Sequence, residues 1–392
     1  MPSAVLLGYR IATARALAGL TRSQVSEASG VSVSMLRKLE SGERSPSDAV
    51  LDVLAETLGT TADELLGGPG RTDSRVHRAI PAVQSAIATY DLPDDGPIRP
   101  TEALILGVDE LTHHRVNSRY GQLAEQVPPL LEELFRALDT ATGGHRRRVA
   151  HLLTLALRAA DAVAYKFGYT DLSARLIGLM HWAADFAEDP ALLAAAAYVR
   201  IEIYFASDRL SQGLRSVETA LDAMPPLNTV TQVASAAALH MRAAVVAGRM
   251  RNADQARDHL SLAELLVRQV PERLYDGTAV GPDSLRIHQL AVAVELADPA
   301  DLDRAMAGAN RWEPPRTLAA ERRSHYYIDL GRAQMQLGQR EHALESLQVA
   351  RRIAPQHVRE HGQVRAQVAT MLRLSRGRNE ELRAFCRWTR AV

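Results

Sequence analysis

Residues 21–46 read TRSQVSEASGVSVSMLRKLESGERSP, and this stretch decides how the N-terminal region folds. Gly30 divides it into two short segments, each of which repeats apolar residues at helical spacing. A glycine in this place ends the first helix in a left-handed turn, and Ser32 is placed to cap the second helix. The stretch therefore predicts two short helices that meet at a tight turn. Their shared apolar contacts are predicted at Val25, Val31, Leu36 and Leu39.

Helix-end signals on both sides of this stretch predict three more helices. Glycines that end helices are expected at Gly19, Gly30, Gly42 and Gly59. Capping boxes, which satisfy backbone N–H groups at a helix start, are expected at Thr21 with Gln24 and at Thr61 with Glu64. Pro46 and Ser47 open the fourth helix. Five short helices are thus predicted within residues 5–66.

Two short helices joined in this way form a helix-turn-helix. The region closely resembles the phage-repressor, Cro and Xre family, and the resemblance covers residues 5–66. It implies a five-helix, lambda-repressor-like DNA-binding domain, and it matches Arg15 and Glu40 to the family's structural ion pair. The matching motifs are Gly19-Leu20-Thr21 before the second helix, Gly30-Val31-Ser32 at the turn, and Glu40-x-Gly42-x-Arg44-x-Pro46 after the third helix.

The resemblance also implies which residues contact DNA, because the family's third helix enters the major groove. Val33, Ser34 and Lys38 would read bases, and the expected target of the apolar Val33 is a thymine methyl. Arg37 would reach either a base or the backbone. Arg22, where the family usually has glutamine, and Arg44 would hold phosphates. The full set of implied DNA contacts is Arg22, Ser32, Val33, Ser34, Arg37, Lys38 and Arg44.

The rest of the chain also follows the helical period and has no convincing run of alternating β-branched or aromatic residues. The fold class is therefore predicted to be all-α, and 392 residues suffice for two or more domains. The cluster GGPGRTDSR at residues 67–75 marks the best boundary. The predicted divisions are a DNA-binding domain at 1–68, a linker with a candidate connecting helix (76–90) at 69–100, and a helical-repeat domain for ligand sensing and dimerisation at 101–392.

The predicted repeat domain contains one clear copy of a repeated helix pair, YYIDLGRAQMQLGQREHALESLQVARRIAP, at residues 326–355. Its small residues and final proline fall at the spacing of a tetratricopeptide repeat. Weaker copies are centred on Ala174, Gly213 and Ala256, and a degenerate one lies around Ala305. The region therefore resembles a tetratricopeptide α-solenoid, with leading helices at 101–140 and a cap from residue 357 onward.

The first helix of each pair would line the concave wall of such a solenoid, which gives a groove suited to a peptide or another chain. For each groove candidate on its own, the alternative is that it packs in the core or lies on the ordinary surface. The groove candidates are Lys166, Phe167, Tyr198, Glu202, Phe205, Met241, His325, Arg332 and Met335.

Composition argues against several other classes of protein. One cysteine, Cys386, allows neither a disulfide framework nor a thiolate metal cage, and no segment has the uninterrupted apolar length of a membrane span. We therefore expect a cytoplasmic protein. Histidines such as His113, His114 and His240 lack carboxylates at ligand spacing, so no metal site is predicted. Phosphate-binding and nucleophile motifs are absent from the sequence, so we expect neither a cofactor nor an enzyme.

The predicted function is a sequence-specific transcriptional regulator that binds a palindromic operator in double-stranded DNA as a homodimer. The arrangement of domains resembles that of peptide-sensing quorum regulators, which implies a peptide or small-molecule effector. The alternative is an interaction scaffold, in which the repeats bind a protein such as a sigma factor or toxin and the DNA-binding head is accessory. An enzyme fused to a DNA-binding head would need catalytic residues that the sequence does not offer.

Overall fold

The first five helices form a bundle, here called the head, in the positions that the capping signals predict. The computed structural model describes residues 4–66, 75–375 and 379–391. Gly30, Gly42 and Gly59 all adopt left-handed backbone angles, with φ of 71°, 78° and 67°. Both predicted capping boxes are present. The head helices are α1 (Ala4–Leu17), α2 (Arg22–Ser29), α3 (Val33–Ser41), α4 (Asp48–Leu58) and α5 (Ala62–Leu66).

Helical repeats follow the head, so the protein is all-α in class, as the sequence predicts. Consecutive helices joined by short turns pack against each other, and the pairs α9–α10, α11–α12, α13–α14 and α17–α18 pack closely. The helices are α6 (Arg75–Ala86), α7 (Thr101–Val116), α8 (Tyr120–Thr140), α9 (Gly143–Lys166), α10 (Thr170–Ala187), α11 (Pro190–Ala206), α12 (Leu210–Asp222), α13 (Val230–Arg249), α14 (Ala253–Val267), α15 (Pro282–Leu296), α16 (Pro299–Ala309), α17 (Ala320–Gln336), α18 (Arg340–Ile353), α19 (Pro355–Glu360), α20 (Gly362–Leu374) and α21 (Glu380–Thr389).

The residues on which the repeat copies were centred all fall on the second helix of a pair. Ala174, Gly213, Ala256 and Ala305 lie on α10, α12, α14 and α16. The clearest copy corresponds to α17 and α18. There Gly331 allows close approach, because a side chain at this position would lie 3.2 Å from the Ala343 carbonyl oxygen.

The connection between head and repeats begins outside the described residues, since the predicted boundary at 67–75 is described only at Arg75. The predicted connecting helix is present as α6, which ends at Ala86. This helix does not stand alone: Val76, Ile80 and Val83 are buried in the main hydrophobic core of the repeats, and α6 packs against α8 and α9.

A short β-hairpin is the exception to the helical fold within the described residues. Strand β1 (Arg273–Tyr275) pairs with the antiparallel strand β2 (Thr278–Val280). Asp276 and Gly277 join them with φ of 45° and 74°, which is the geometry that an Asp-Gly turn favours. The buried Arg158 side chain donates hydrogen bonds to the Asp276 carbonyl oxygen at 2.6 Å and to the Thr278 hydroxyl at 2.8 Å. The hairpin is therefore anchored to α9.

Among the described residues, α1 makes the main contact between the head and the C-terminal end of the repeats. This helix packs against α20 and α21. The Arg373 guanidinium on α20 donates to the Thr13 hydroxyl at 3.1 Å and lies over the Tyr9 ring, 4.6 Å from its centre. The position of the head relative to the repeats therefore depends on the surface of α1 that carries Tyr9 and Thr13.

One helix in the described part of the chain, α13, is long and apolar enough to pass as a membrane span. However, 67% of that apolar window is buried inside the protein. It packs against α11, α12, α14 and α15. Core helices of folded domains meet the same criteria, so length and composition give only weak support for a span here.

Gly8→Ala should destabilise the head even though alanine favours helices by about 1 kcal/mol over glycine. A Cβ at position 8 would lie 2.4 Å from the Leu39 carbonyl oxygen and 2.8 Å from that of Glu40. Overpacking of this kind costs about 1–3 kcal/mol. Hydrogen exchange of full-length protein should show faster exchange in peptides from α2–α4. The matched control is Gly178→Ala on α10, where a Cβ meets nothing within 4 Å. Equal exchange in both variants would contradict the close packing of α1 on α3.

Candidate DNA interface and central cavity

Helix α3 presents the predicted DNA-contact side chains on its solvent face. Ser34, Arg37 and Lys38 are exposed, and Val33 is 37% exposed, which is high for a valine. Leu36 and Leu39 on the opposite face are buried. The helix therefore has an apolar side that holds it in the head and a polar side that is accessible to a partner.

The ends of α3 hold two further predicted contact residues. The Ser32 hydroxyl accepts a hydrogen bond from the Met35 backbone N–H at 3.2 Å, so this side chain caps the helix. The Arg44 backbone N–H donates to the Lys38 carbonyl oxygen at 3.2 Å, which keeps the exposed Arg44 beside the end of α3. Within the described residues, Arg37, Lys38 and Arg44 form no ion pair with a carboxylate.

A buried carboxylate, Glu40, joins α1, α2 and α3. Its Oε1 accepts from Arg15 Nε at 2.6 Å, which confirms the predicted structural ion pair. Its Oε2 lies 2.7 Å from a nitrogen of Arg22. The Glu40 side chain is 3% exposed, whereas that of Arg22 is 43% exposed. The structure therefore gives Arg22 a partner inside the head, and its phosphate contact stays a prediction.

A cavity of about 1240 Å³ lies between the head and the repeats. Tyr9, Arg10 and Thr13 of the head line one side, and helices α11, α13, α15 and α17 contribute to the other. Met241 is fully buried in the core, and Met335 packs on the C-terminal hydrophobic cluster, so neither lines the cavity. The structure does bring together seven of the predicted groove residues, which are Lys166, Phe167, Tyr198, Glu202, Phe205, His325 and Arg332.

Eight of the nine arginines that line the cavity were not predicted from the sequence, and three of them, Arg242, Arg249 and Arg322, lie on the wall formed by the repeats. Arg242 and Arg249 are seven residues apart, so they lie on the same face of α13. That spacing could have identified them, and the groove prediction at Met241 missed the first by one position. Arg242 stacks 4.2 Å from the centre of the Tyr198 ring, and Arg249 lies 3.9 Å from the centre of the Phe205 ring. The wall therefore alternates cations with aromatic rings.

The cavity carries an excess of positive charge. Its lining contains ten arginine or lysine residues and five aspartate or glutamate residues. Some of the cations are paired, because Arg242 lies 3.4 Å from Glu202 and Arg332 lies 3.0 Å from Glu295. Carboxylates in the lining are too few to pair all of these cations one to one. An anionic ligand would therefore be stabilised here.

Tyr198 has an unusual acidity that follows from these arginines. Burial alone would raise the pKa of its phenol, but Arg242 and Arg322 more than offset this and lower the pKa to about 8. Arg322 donates a hydrogen bond to the Tyr198 hydroxyl at 3.1 Å. A phenolate at this position would be stabilised by the same charges that favour an anionic ligand.

Histidines collect at the C-terminal side of the cavity. Burial is the main reason that the pKa values of His325, His357 and His361 lie well below the usual histidine value, and the Lys166 ammonium adds to this effect. Burial likewise lowers the pKa of His288 to about 3. These imidazoles are therefore neutral near pH 7.

Ultraviolet titration should detect one of the ten tyrosines ionising near pH 8. Tyr198→Phe should remove this transition. Arg322→Gln should move it to higher pH, because the phenolate loses a positive donor. The matched control is Tyr326→Phe, since burial raises the pKa of Tyr326 to about 12. Persistence of the transition in Tyr198→Phe would show that the arginines do not act on this phenol.

Comparisons with known proteins agree with the geometry of the head. A family model described as helix-turn-helix matches residues 11–65. The uncharacterised HTH-type transcriptional regulator YazB of Bacillus subtilis (strain 168) is 42% identical over 62 residues, which are 16% of this chain and 90% of YazB.

One solved structure is aligned over a larger part of the chain. It is the crystal structure of Bacillus thuringiensis PlcR in complex with the peptide PapR7 and DNA. The alignment covers 68% of this chain and 95% of that one, at 14% identity and a TM-score of 0.29, which is too low to support an argument about this protein. The match to YazB does support an assignment, because it spans 90% of that protein at 42% identity. On that ground, the chain belongs to the family of helix-turn-helix (HTH-type) transcriptional regulators.

Proposed function

We propose that this transcriptional regulator responds to an anionic ligand in the central cavity, which controls how the exposed face of α3 engages operator DNA. The supporting observation is that both the head and the repeats line the cavity. A ligand bound there contacts both parts of the protein at once. It can therefore favour one arrangement of the head over another, which is the requirement for coupling between two sites.

Arg373 is the residue through which this coupling would act. It lines the cavity, and its guanidinium also holds Thr13 and Tyr9 on α1. An anionic group in the cavity would compete for the same guanidinium. Such competition weakens or redirects the contact between α20 and α1, and so changes the freedom of the head.

The size and chemistry of the cavity favour a short peptide or a comparable small molecule. Its volume of about 1240 Å³ exceeds the roughly 300–1,000 Å³ of ordinary ligand pockets. Its wall offers guanidinium groups for carboxylates, and stacked rings such as Phe205 for apolar side chains. A ligand with both an anionic end and an apolar part would use both features.

We further propose that the protein binds DNA as a homodimer on a palindromic operator. Residues 1–66 contain more acidic than basic side chains, so one head gains little from general attraction to the phosphates. Two heads on half-sites about 34 Å apart add their contacts. The proposed homodimer would thus compensate for the modest affinity of a single head.

Lys38→Ala should weaken operator binding by about 1–3 kcal/mol, roughly 5- to 150-fold, because the side chain is proposed to touch base edges. The operator would first be obtained by selecting random duplexes with the full-length protein. Affinity is then measured at fixed salt for each variant. Arg268→Ala is the matched control, since Arg268 is an exposed residue on the repeats, following α14. Unchanged binding by Lys38→Ala, or failure to select any sequence, would favour the scaffold alternative.

Arg44→Ala should weaken binding to all duplexes to a similar extent, because a phosphate contact carries no sequence information. The slope of log affinity against log salt should fall by about 1. Binding to the selected operator and to a scrambled duplex would be compared over a series of salt concentrations. A loss confined to the operator would assign Arg44 to base reading instead.

A further inference from the structure

Three histidines meet beside the cavity although they come from separate parts of the chain, and two of them, His325 and His361, line it. His325 lies on α17, His357 lies on α19, and His361 immediately follows α19. One nitrogen of each lies within 4.8 Å of one nitrogen of the other two. From this cluster we infer a binding site for a divalent transition-metal ion such as zinc.

Two of the three imidazoles contain nitrogen atoms that are buried without a hydrogen-bond partner. These atoms are Nε2 of His357, a fully buried residue, and Nδ1 of His361. A buried polar atom without a partner costs about 1–3 kcal/mol, so a native structure usually supplies one. A metal ion held between the rings would supply such a partner, and this need makes the cluster more than a packed group of rings.

The surroundings support the ligands in the way that metal sites require. Nδ1 of His357 lies 3.3 Å from the hydroxyl of the fully buried Tyr120, which orients the ring and leaves Nε2 directed elsewhere. Nε2 of His325 lies 3.6 Å from the carboxylate of Asp329 on the same helix, which is beyond hydrogen-bond distance. An outer partner such as the Tyr120 hydroxyl fixes the orientation of a ligand ring.

The spacing of the nitrogens requires a small closure. Zinc binds histidine nitrogen at about 2.0–2.1 Å, and a tetrahedral arrangement then separates the ligand nitrogens by about 3.3 Å. The nitrogens lie within 4.8 Å of one another, so at this upper limit the rings have to move inward by about 1 Å on binding. His325 permits such movement because its side chain is 34% exposed and faces the cavity.

Neighbouring cations would oppose a metal ion unless they were neutralised. Lys166 lies 3.7 Å from the Glu321 carboxylate, and Arg332 pairs with Asp329 at 2.9 Å. Arg249 lies 3.4 Å from Glu295, and Arg322 donates to the Tyr198 hydroxyl. Lys166, Arg332 and Arg249 therefore each have a carboxylate partner already, which limits the repulsion, whereas the hydrogen-bond partner of Arg322 is a phenol.

Three protein ligands leave at least one coordination position open. His325 and His361 both line the cavity, so that open position faces the cavity and not the protein core. Water or an anionic group of a cavity ligand can occupy it. The sequence contains a signal for this site in HVREH at residues 357–361, because two histidines four positions apart match a common ligand spacing.

The test uses untagged full-length protein from which metals have been removed with a chelator. Zinc chloride is titrated against a competing chromophoric chelator, and elemental analysis gives the stoichiometry. We expect one zinc per chain and a rise in the thermal unfolding temperature. His361→Gln and His325→Gln should each weaken binding at least about 100-fold, more than the loss of an outer partner. His342→Gln is the control, because this histidine is exposed on α18.

Cobalt chloride provides a readout that needs no variant. A three-histidine site should give the visible absorption bands of tetrahedral or five-coordinate cobalt, and added zinc should abolish them. Circular dichroism checks that each histidine variant is folded. Absence of saturable zinc binding and cobalt bands in the unmodified protein would overturn the inference. So would unchanged zinc affinity in folded His361→Gln and His325→Gln, which would make the cluster a group of neutral packed imidazoles.

Discussion

Helix α1 has to satisfy two packing surfaces at once, and the position of the predicted DNA-binding face on α3 depends on both. On one side Gly8 lets the helix approach the backbone of α3 so closely that no side chain fits between them. On the other side Tyr9 and Thr13 meet Arg373 of α20. The orientation of α3 relative to the repeats therefore depends mainly on α1. A change at either surface of α1 is expected to alter the direction in which the predicted DNA-binding face points.

The cavity beside α1 is polar, and this has an energetic consequence. Buried guanidinium groups are costly unless they are paired, and their partners here are carboxylates, a phenol and aromatic faces. A hydrophobic wall of the same shape would give the folded protein an equal or higher stability. Retention of so many charges along one cavity therefore supports the proposal that the cavity recognises a ligand.

Local signals account for most of what the sequence predicts correctly. The capping residues of the head act within one helical turn, so Thr21, Ser32 and Gly42 could be assigned without knowledge of tertiary contacts. On α11 the groove residues Tyr198, Glu202 and Phe205 recur at helical spacing, and the register of the predicted repeat places them on the first helix of their pair. On α13 apolar residues surround most of the helix, so the period does not define which face borders the cavity. This is why Met241 was chosen and Arg242 was not.

Features that depend on distant contacts could not be predicted in the same way. The three-residue strands are too short for alternation to be visible, although Asp276-Gly277 carries the local turn signal. His325 and His357 are brought together only by the packing of α17 on α19, which no local pattern encodes. The role of Arg373 likewise depends on a distant contact, because its partner Thr13 lies near the other end of the chain.

Few packed helices separate the cavity wall from the predicted DNA-binding face on α3. His361 is the residue before α20, α20 packs against α1, and α1 packs against α3. Helices transmit displacements as nearly rigid units because their interiors are close-packed. A ligand or ion that fixes His361 therefore fixes the start of the helix that carries Arg373. Two packed interfaces then separate it from α3, so a shift of about 1 Å at the cavity wall can bias the head between discrete positions without any rearrangement of the repeats.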